Sequence, residues 1–260
     1  MAALPGPTFL GIGAQKAGTT WLHKLLSLHP DIGMPQQKEL HFWDRETPDA
    51  AAIAAYRSRF ADLRGKARGE ITPSYAILPP ERIQLIHQNF PELNLIYVLR
   101  NPMERAWSQA RMELARELHR GVAIPETTWG PWLASHLDSP ESRTRGDYAS
   151  CLRNWLQHYS RESLLIGIHE ENLAAPREFL ISCAHHLGVD TRTYSDLPIS
   201  SFNETVSPER EILGIKPLDL PARPPKEQMA SLLETYTPVI QATEAILGRS
   251  LSELWLRPYS

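Results

Sequence analysis

The chain is expected to fold in the α/β class, as a single domain over residues 1–260 with a central parallel β-sheet flanked by helices on both faces. Three observations lead there. Short apolar runs such as Thr8–Ala14, Asn94–Arg100 and Leu164–Ile168 are bounded by breakers and alternate with segments of helical periodicity. Strands alternating with helices form parallel sheets covered on both sides. Hydrophobic residues make up 42% of the 260 positions and charged residues 22%, enough for a large core, which excludes disordered and fibrous classes.

In chain order, Thr8–Ala14 reads as a buried strand. From Thr19 to His29, Trp21, Leu22, Leu25, Leu26 and Leu28 recur at helical spacing until Pro30-Asp31 stops the helix. Pro35–Asp44 reads as a loop carrying Lys38, Glu39, His41 and Asp44, followed by an alanine-rich helix over Pro48–Phe60. Arg68–Thr72 is a second strand ended by Pro73, and Pro80–Phe90 a helix with proline in its first turn. Asn94–Arg100 is the clearest strand and leads through Asn101-Pro102 into a helix reaching His119. Residues 120–147, rich in Pro, Gly, Ser and Trp, read as irregular with a short helix near Trp132. Tyr148–Tyr159 is helical, Leu164–Ile168 a fourth strand and Pro176–Leu187 a further helix. Residues 190–226 read as a long proline-rich loop, of the kind usually kept for function, before a last helix over Lys226–Leu247.

Charge and cysteine content narrow the function classes. With 27 basic and 30 acidic side chains the net charge is -3, so no broad positive field invites nucleic acid, and an anion must be held by a few focused groups. Cys151 and Cys183 make neither a disulfide framework nor a thiolate metal site, and no metal is expected. The longest apolar runs, such as Leu95–Leu99, fall far short of the roughly 18 residues of a membrane span. The first residues, Met-Ala-Ala-Leu-Pro-Gly-Pro, lack the features of a signal peptide. The expected setting is a reducing cytoplasm, with neither membrane nor nucleic-acid partners.

The segment Gly11-Ile12-Gly13-Ala14-Gln15-Lys16-Ala17-Gly18-Thr19-Thr20 joins a strand to a helix. Such a turn offers successive backbone N–H groups and the positive helix end to an anion. Ala17 and Gly18 permit close approach, Thr19 and Thr20 add hydroxyls, and Lys16 adds a mobile charge. Read alone it is also an ordinary strand-to-helix turn. It is P-loop-like but departs from the Walker A pattern, because its lysine precedes the last glycine by two positions. A nucleotide kinase would also place a magnesium-holding carboxylate after another strand, where this chain has Arg100-Asn101-Pro102.

Gln15-Lys16-Ala17-Gly18-Thr19-Thr20-Trp21-Leu22 resembles the 5′-phosphosulfate loop of sulfotransferases that use 3′-phosphoadenosine 5′-phosphosulfate (PAPS). Tyr97-Val98-Leu99-Arg100-Asn101-Pro102, with Arg105 and Ser108 following, is similar to that family's motif for the 3′-phosphate. The resemblance implies that Gln15 to Thr20 hold the 5′-phosphosulfate and that Arg100 and Ser108 hold the 3′-phosphate. A planar guanidinium suits phosphate oxygens. Without the first loop, Arg100 would read as an ion pair with Glu104 and Ser108 as a solvated helix serine.

Lys38-Glu39-Leu40-His41-Phe42-Trp43-Asp44 sets ionisable groups among aromatics. In an extended segment Glu39 and His41 share one face, and Phe42 and Trp43 can exclude water and raise a carboxyl's pKa toward general-base range. The alternative is a solvated loop with two aromatic anchors. The stretch is similar to the Lys-Glu-x-His-Phe-x-Asp of family members that act on glycans, which implies Glu39 as base, His41 as supporting or alternative base and Asp44 as an orienting group. Glu70-Ile71-Thr72-Pro73-Ser74-Tyr75 resembles a Glu-Lys-x-Pro-x-Tyr stretch of the same enzymes, with Ile71 in place of the lysine. Glu70 also reads as a strand-end carboxylate paired with an arginine. Gly146-Asp147-Tyr148, then Leu152, Trp155 and Leu156, match a further family helix, implying Tyr75 and Tyr148 on the acceptor side and Trp155 in the core. The late cofactor loop would fall at Ser201–Lys216, with Lys216 its candidate contact. The resemblance spans residues 8 to 187 and is nearest the heparan-type enzymes in a soluble, bacterial-like form.

The expected reaction is transfer of a sulfuryl group from PAPS to a hydroxyl or amine of a small-molecule, sugar or carrier-bound acceptor, releasing 3′,5′-adenosine bisphosphate (PAP). Lys16 is the expected leaving-group stabiliser and Glu39 or His41 the base. The competing readings are a magnesium-dependent nucleotide kinase and a non-catalytic adenosine-bisphosphate-binding module.

Overall fold

A computed structural model describes residues 5–45, 48–195, 197 and 218–259. The late loop over Ser201–Lys216, with Lys216, lies outside the described residues. The elements begin β1 (Phe9–Gly13), α1 (Thr19–Leu26), β2 (Ile32–Gly33), α2 (Ala50–Ser58), β3 (Ala67–Ile71), α3 (Pro80–Asn89) and β4 (Asn94–Leu99). They continue with α4 (Pro102–His119), α5 (Trp129–Leu137), α6 (Pro140–Gly146), α7 (Tyr148–Leu156), β5 (Leu164–Ile168), α8 (His169–Ala174) and α9 (Pro176–His186). Two more helices close the described chain, α10 (Lys226–Leu247) and α11 (Ser252–Trp255). The chain builds two compact units, each from two segments: residues 1–99 with 151–203, and residues 100–150 with 204–260.

The first unit holds a five-stranded sheet in the order β2-β3-β1-β4-β5, all pairs parallel. Every residue of β1 is buried, so its alternating side chains are covered on both faces. After β1 the chain passes to the β2–β3 side, and after β4 it passes to the β5 side. Adjacent strands whose connections leave in opposite directions create a crevice at their carboxyl ends, here those of β1 and β4. Five strands are present among the described residues where four were expected. The added strand, Ile32–Gly33, has only two residues and pairs with Ala67 and Arg68, too short for any periodicity to betray it.

The second unit centres on α4. Met103, Ala106, Trp107, Ala110 and Leu114 bury one face of it against Leu133 and Leu137 of α5 and Leu232 and Tyr236 of α10. Asn101 caps α4, its side chain accepting from Met103 N (3.0 Å) and donating to the Trp255 carbonyl (2.9 Å). The short helix expected near Trp132 is present as α5, and α6 is a further helix where irregular structure was expected. Pro131 and Pro140 sit in the first turns of these helices, where a missing N–H breaks no bond, so prolines that read as breakers are starters. Among the described residues no helix is long and apolar enough to cross a membrane.

Candidate active site

The phosphate loop follows β1 in the first unit. Ala14 N donates to Val98 O at 2.7 Å, which ties the start of the loop to β4. Lys16 then adopts a left-handed backbone (φ 68), and Gly18 does so again (φ 84) as the N-cap of α1. No side chain caps this helix and no acidic residue occupies its first turn. Its first N–H groups and its positive dipole end are therefore not answered by a side chain of the helix itself, as an anion site requires. A Cβ on Gly18 would stand 3.2 Å from Nδ1 of His169, the first residue of α8, so this imidazole lies against the loop. Ala17 and Thr19 are buried, while Lys16 and Thr20 are half-buried. The Gln15 Oε1 atom is buried without a hydrogen-bond partner among the described residues.

The loop after β2 gathers the expected acid–base residues. Lys38 Nζ lies 2.6 Å from Glu39 Oε1, Glu39 Oε2 lies 3.1 Å from His41 Nε2, and His41 Nδ1 lies 2.7 Å from Asp44 Oδ2. Three successive contacts thus link four ionisable side chains along one short segment. The reason differs from the one expected. The segment is not extended: Glu39 (φ 61) and His41 (φ 50) are left-handed, and together with Lys16 they are the non-glycine residues with positive φ among those described. Such backbone strain is uncommon and concentrates at functional sites. The Glu39 side chain is 34% exposed and so open to a substrate.

Beneath this loop lies Glu70, at the end of β3 and 2% exposed. Its carboxylate accepts from Thr72 Oγ1 (2.6 Å), Tyr75 OH (2.8 Å), Tyr56 OH (2.9 Å) and Leu40 N (3.2 Å). Among the described residues no arginine pairs with it, which corrects that expectation: three hydroxyls and a backbone N–H take the cation's place. Burial is the largest influence on its carboxyl and raises the pKa, against the opposing pull of these four bonds. Tyr75 corrects a second expectation. It is fully buried, and its hydroxyl accepts from Phe42 N at 3.0 Å while donating to Glu70, a supporting position with no surface left for an acceptor.

Sequence reasoning missed His23. It stands one turn beyond Thr19 on α1, and its pKa is lowered, first by burial and then by Lys38, with Glu39 acting oppositely. Helix α1 therefore presents its N-terminus to the phosphate loop and its next turn to the Lys38–Glu39 pair. His169 was missed as well, although it follows β5 as Gln15 follows β1, and a polar residue directly after a parallel strand was the available signal.

Arg100 and Ser108 belong to the second unit. Arg100 Nη2 lies 3.5 Å from Glu104 Oε2, the ion pair named above as the alternative, and Glu104 also accepts from Tyr259 OH (2.9 Å) and pairs with Arg223 Nε (3.4 Å). Ser108 is buried on α4. Arg105, of the same motif, is fully buried and donates to Gln109 Oε1 (2.7 Å) and to the Ser142 carbonyl (2.8 Å). Tyr148, expected on the acceptor side, is also fully buried and donates to the Arg100 carbonyl at 2.8 Å, so it braces that residue's backbone. Trp155 lies in the core as expected.

Comparison with known proteins bears on the family and the fold. A family profile described as "Sulfotransferase domain" matches residues 7–206. Heparan sulfate glucosamine 3-O-sulfotransferase 6 of Mus musculus is 33% identical over 176 residues, 65% of this chain and 48% of the mouse protein. Its Homo sapiens counterpart is 33% identical over 186 residues, 68% of this chain and 52% of the human protein. The chain thus spans about half the length of the curated relatives it matches. Among solved structures, a sulfotransferase from Alicyclobacillus acidocaldarius superposes with a TM-score of 0.68 and 25% identity, covering 95% of this chain and 98% of the other. Mouse SULT7A1 complexed with PAP shares the fold, with a TM-score of 0.59 and 18% identity over 90% of this chain and 84% of that one. A profile matched across both the phosphate loop and the Glu39–His41 segment leaves one conclusion: the chain belongs to the sulfotransferase domain family.

Proposed function

We propose that this chain is a PAPS-dependent sulfotransferase that modifies a hydroxyl or amine of a small-molecule, sugar or carrier-bound acceptor. The observation that carries the reading is the joined Lys38–Glu39–His41–Asp44 set beside a helix whose N-terminus is uncapped. A module that only binds an anion needs no such proton-accepting set. The phosphate loop fits a phosphosulfate on two counts, the uncapped first turn and a glycine where a Cβ would crowd His169.

PAPS supplies the activated sulfuryl group. The residues of this chain do the rest. Gln15 to Thr20 orient the 5′ end, and Lys16 offsets the negative charge that grows on the bridging oxygen. Glu39 takes the acceptor proton, or passes it 3.1 Å to His41 Nε2, whose other nitrogen is held by Asp44. Arg100 and Ser108 take the 3′-phosphate, an assignment supported by their sequence motif. The modest charge of -3 favours a small or neutral acceptor over a polyanion.

The test is turnover of radiolabelled PAPS against a panel of sugars, phenols and amines, with sulfate mass gain as the product readout. Thermal shifts with PAP and with ADP, each with and without magnesium, accompany it. Stabilisation by PAP without magnesium, together with labelled product, supports the reading. Magnesium-dependent stabilisation by ADP alone would favour a kinase, and PAP binding without product a silent binding module.

A further inference from the structure

We propose that Glu70 and Tyr75 form a clamp that holds Glu39 and His41 in register, making Glu70 a positioning residue for proton transfer; this rests on the reading of Glu39 and His41 as the proton-accepting pair. The N–H of Leu40 donates to Glu70 Oε2 at 3.2 Å and that of Phe42 donates to Tyr75 OH at 3.0 Å. Tyr75 OH in turn donates to Glu70 Oε1 at 2.8 Å, so alternate N–H groups of the loop are gripped by one network rooted at the end of β3. The residues before Leu40 and between the two gripped positions are Glu39 and His41, and both are left-handed. A Cβ-bearing residue stays there only where its surroundings over-determine the backbone. The two gripped N–H groups supply that constraint. Released from them, residues 39 and 41 return to ordinary φ, and the 3.1 Å contact between their side chains opens. Glu70 itself is 2% exposed and acts only through this loop.

The chemistry of the clamp separates it from general structural support. A glutamine at position 70 places an N–H where Leu40 N–H or a tyrosine hydroxyl needs an acceptor. Tyr56 serves as the contrast. It donates to the same Oε1 from α2 (2.9 Å) and stacks on Phe42 with ring centroids 4.4 Å apart, yet the backbone N–H groups of Leu40 and Phe42 are held by Glu70 and Tyr75 and not by it. Tyr56→Phe keeps the stack and removes a donor to Glu70 while leaving both backbone grips in place.

The experiment compares Glu70→Gln, Tyr75→Phe and Tyr56→Phe in the full chain with PAP bound. The His41 ring nitrogens are read by long-range 1H–15N spectra, assigned by their loss in His41→Gln, and PAPS turnover and melting temperature are measured alongside. We expect altered His41 resonances in Glu70→Gln and Tyr75→Phe and wild-type resonances in Tyr56→Phe. Turnover at saturating substrate falls about tenfold or more in the first two and stays within about twofold in the third, with KM for PAPS unchanged throughout. Unaltered His41 signals in Glu70→Gln and Tyr75→Phe, or the same alteration in all three variants, would overturn the clamp. Should Glu70→Gln fail to fold, Tyr75→Phe against Tyr56→Phe decides. If Glu39→Gln keeps full turnover, the base assignment fails on its own, and the His41 signals still judge the clamp.

Discussion

Gly18→Ala tests the phosphate loop with a magnitude taken from its geometry. Gly18 sits at φ 84 and ψ 19, a left-handed conformation that costs an alanine about 1–2 kcal/mol. The new methyl would also meet His169 Nδ1 at 3.2 Å and Cε1 at 3.4 Å, and easing that contact costs up to about 1 kcal/mol more. Gly121 provides an internal control, since it has the same φ of 84 and nothing within 4 Å of its missing Cβ. Urea denaturation should therefore show losses of about 2–3 kcal/mol for Gly18→Ala and about 1–2 kcal/mol for Gly121→Ala. A double-mutant cycle with His169→Ala should recover the difference. Calorimetric titration adds the functional arm: PAP affinity should weaken about tenfold in Gly18→Ala, because relief of the strain turns the N–H groups of Gly18 and Thr19 away from the anion, and should not change in Gly121→Ala. Equal stability losses and equal PAP affinities in the two glycine variants would show that Gly18 is an ordinary turn residue and that the loop is no anion cradle.

Three further predictions can be checked on the same preparation. Lys16→Ala should lower turnover about 10²- to 10³-fold with little change in melting temperature, since both side chains meet the same φ of 68; steady-state kinetics beside a thermal melt decide it. The Glu70 carboxyl is raised above its usual 4.5, so the folded state holds that proton more tightly than the unfolded chain does. The stability this adds is fully present below the unfolded value and is lost as pH rises through the folded one. The stability of wild type relative to Glu70→Gln should therefore decline as pH rises above 4.5, and urea titrations giving a flat or rising difference would contradict the burial argument. Asn101→Ala removes the cap of α4 and the bond to the Trp255 carbonyl, and should cost about 2 kcal/mol by urea denaturation.

How much of this was legible before any coordinates depended on the range of the interaction that decides each feature. β1 and β4 announce themselves because a strand buried on both faces must be apolar along its length. The phosphate loop is equally local, a glycine and small residues between a strand and a helix. Ile32–Gly33 is a strand only because β3 lies beside it, and no local pattern encodes a neighbour. Glu39 and His41 do converge, but through two left-handed residues in place of strand alternation, a geometry imposed from outside the segment. The hydroxyls on Glu70 come from residues 56, 72 and 75, and Tyr56 arrives from a helix whose docking the sequence does not spell out. Tyr75 and Tyr148 have the residue type of a binding surface and the burial of a brace; only packing tells the two apart.

The interleaving of the two units bears on how the polypeptide emerges from the ribosome. The first unit begins at β1, yet its sheet gains β5 only once residues 164–168 have emerged from the exit tunnel, after the whole 100–150 segment of the second unit. That segment must then wait for α10 before Met103, Trp107 and Leu114 are covered by Leu232 and Tyr236. At the usual pace of elongation this leaves apolar surface open for roughly 5–20 s, a window in which a nascent-chain chaperone has something to hold.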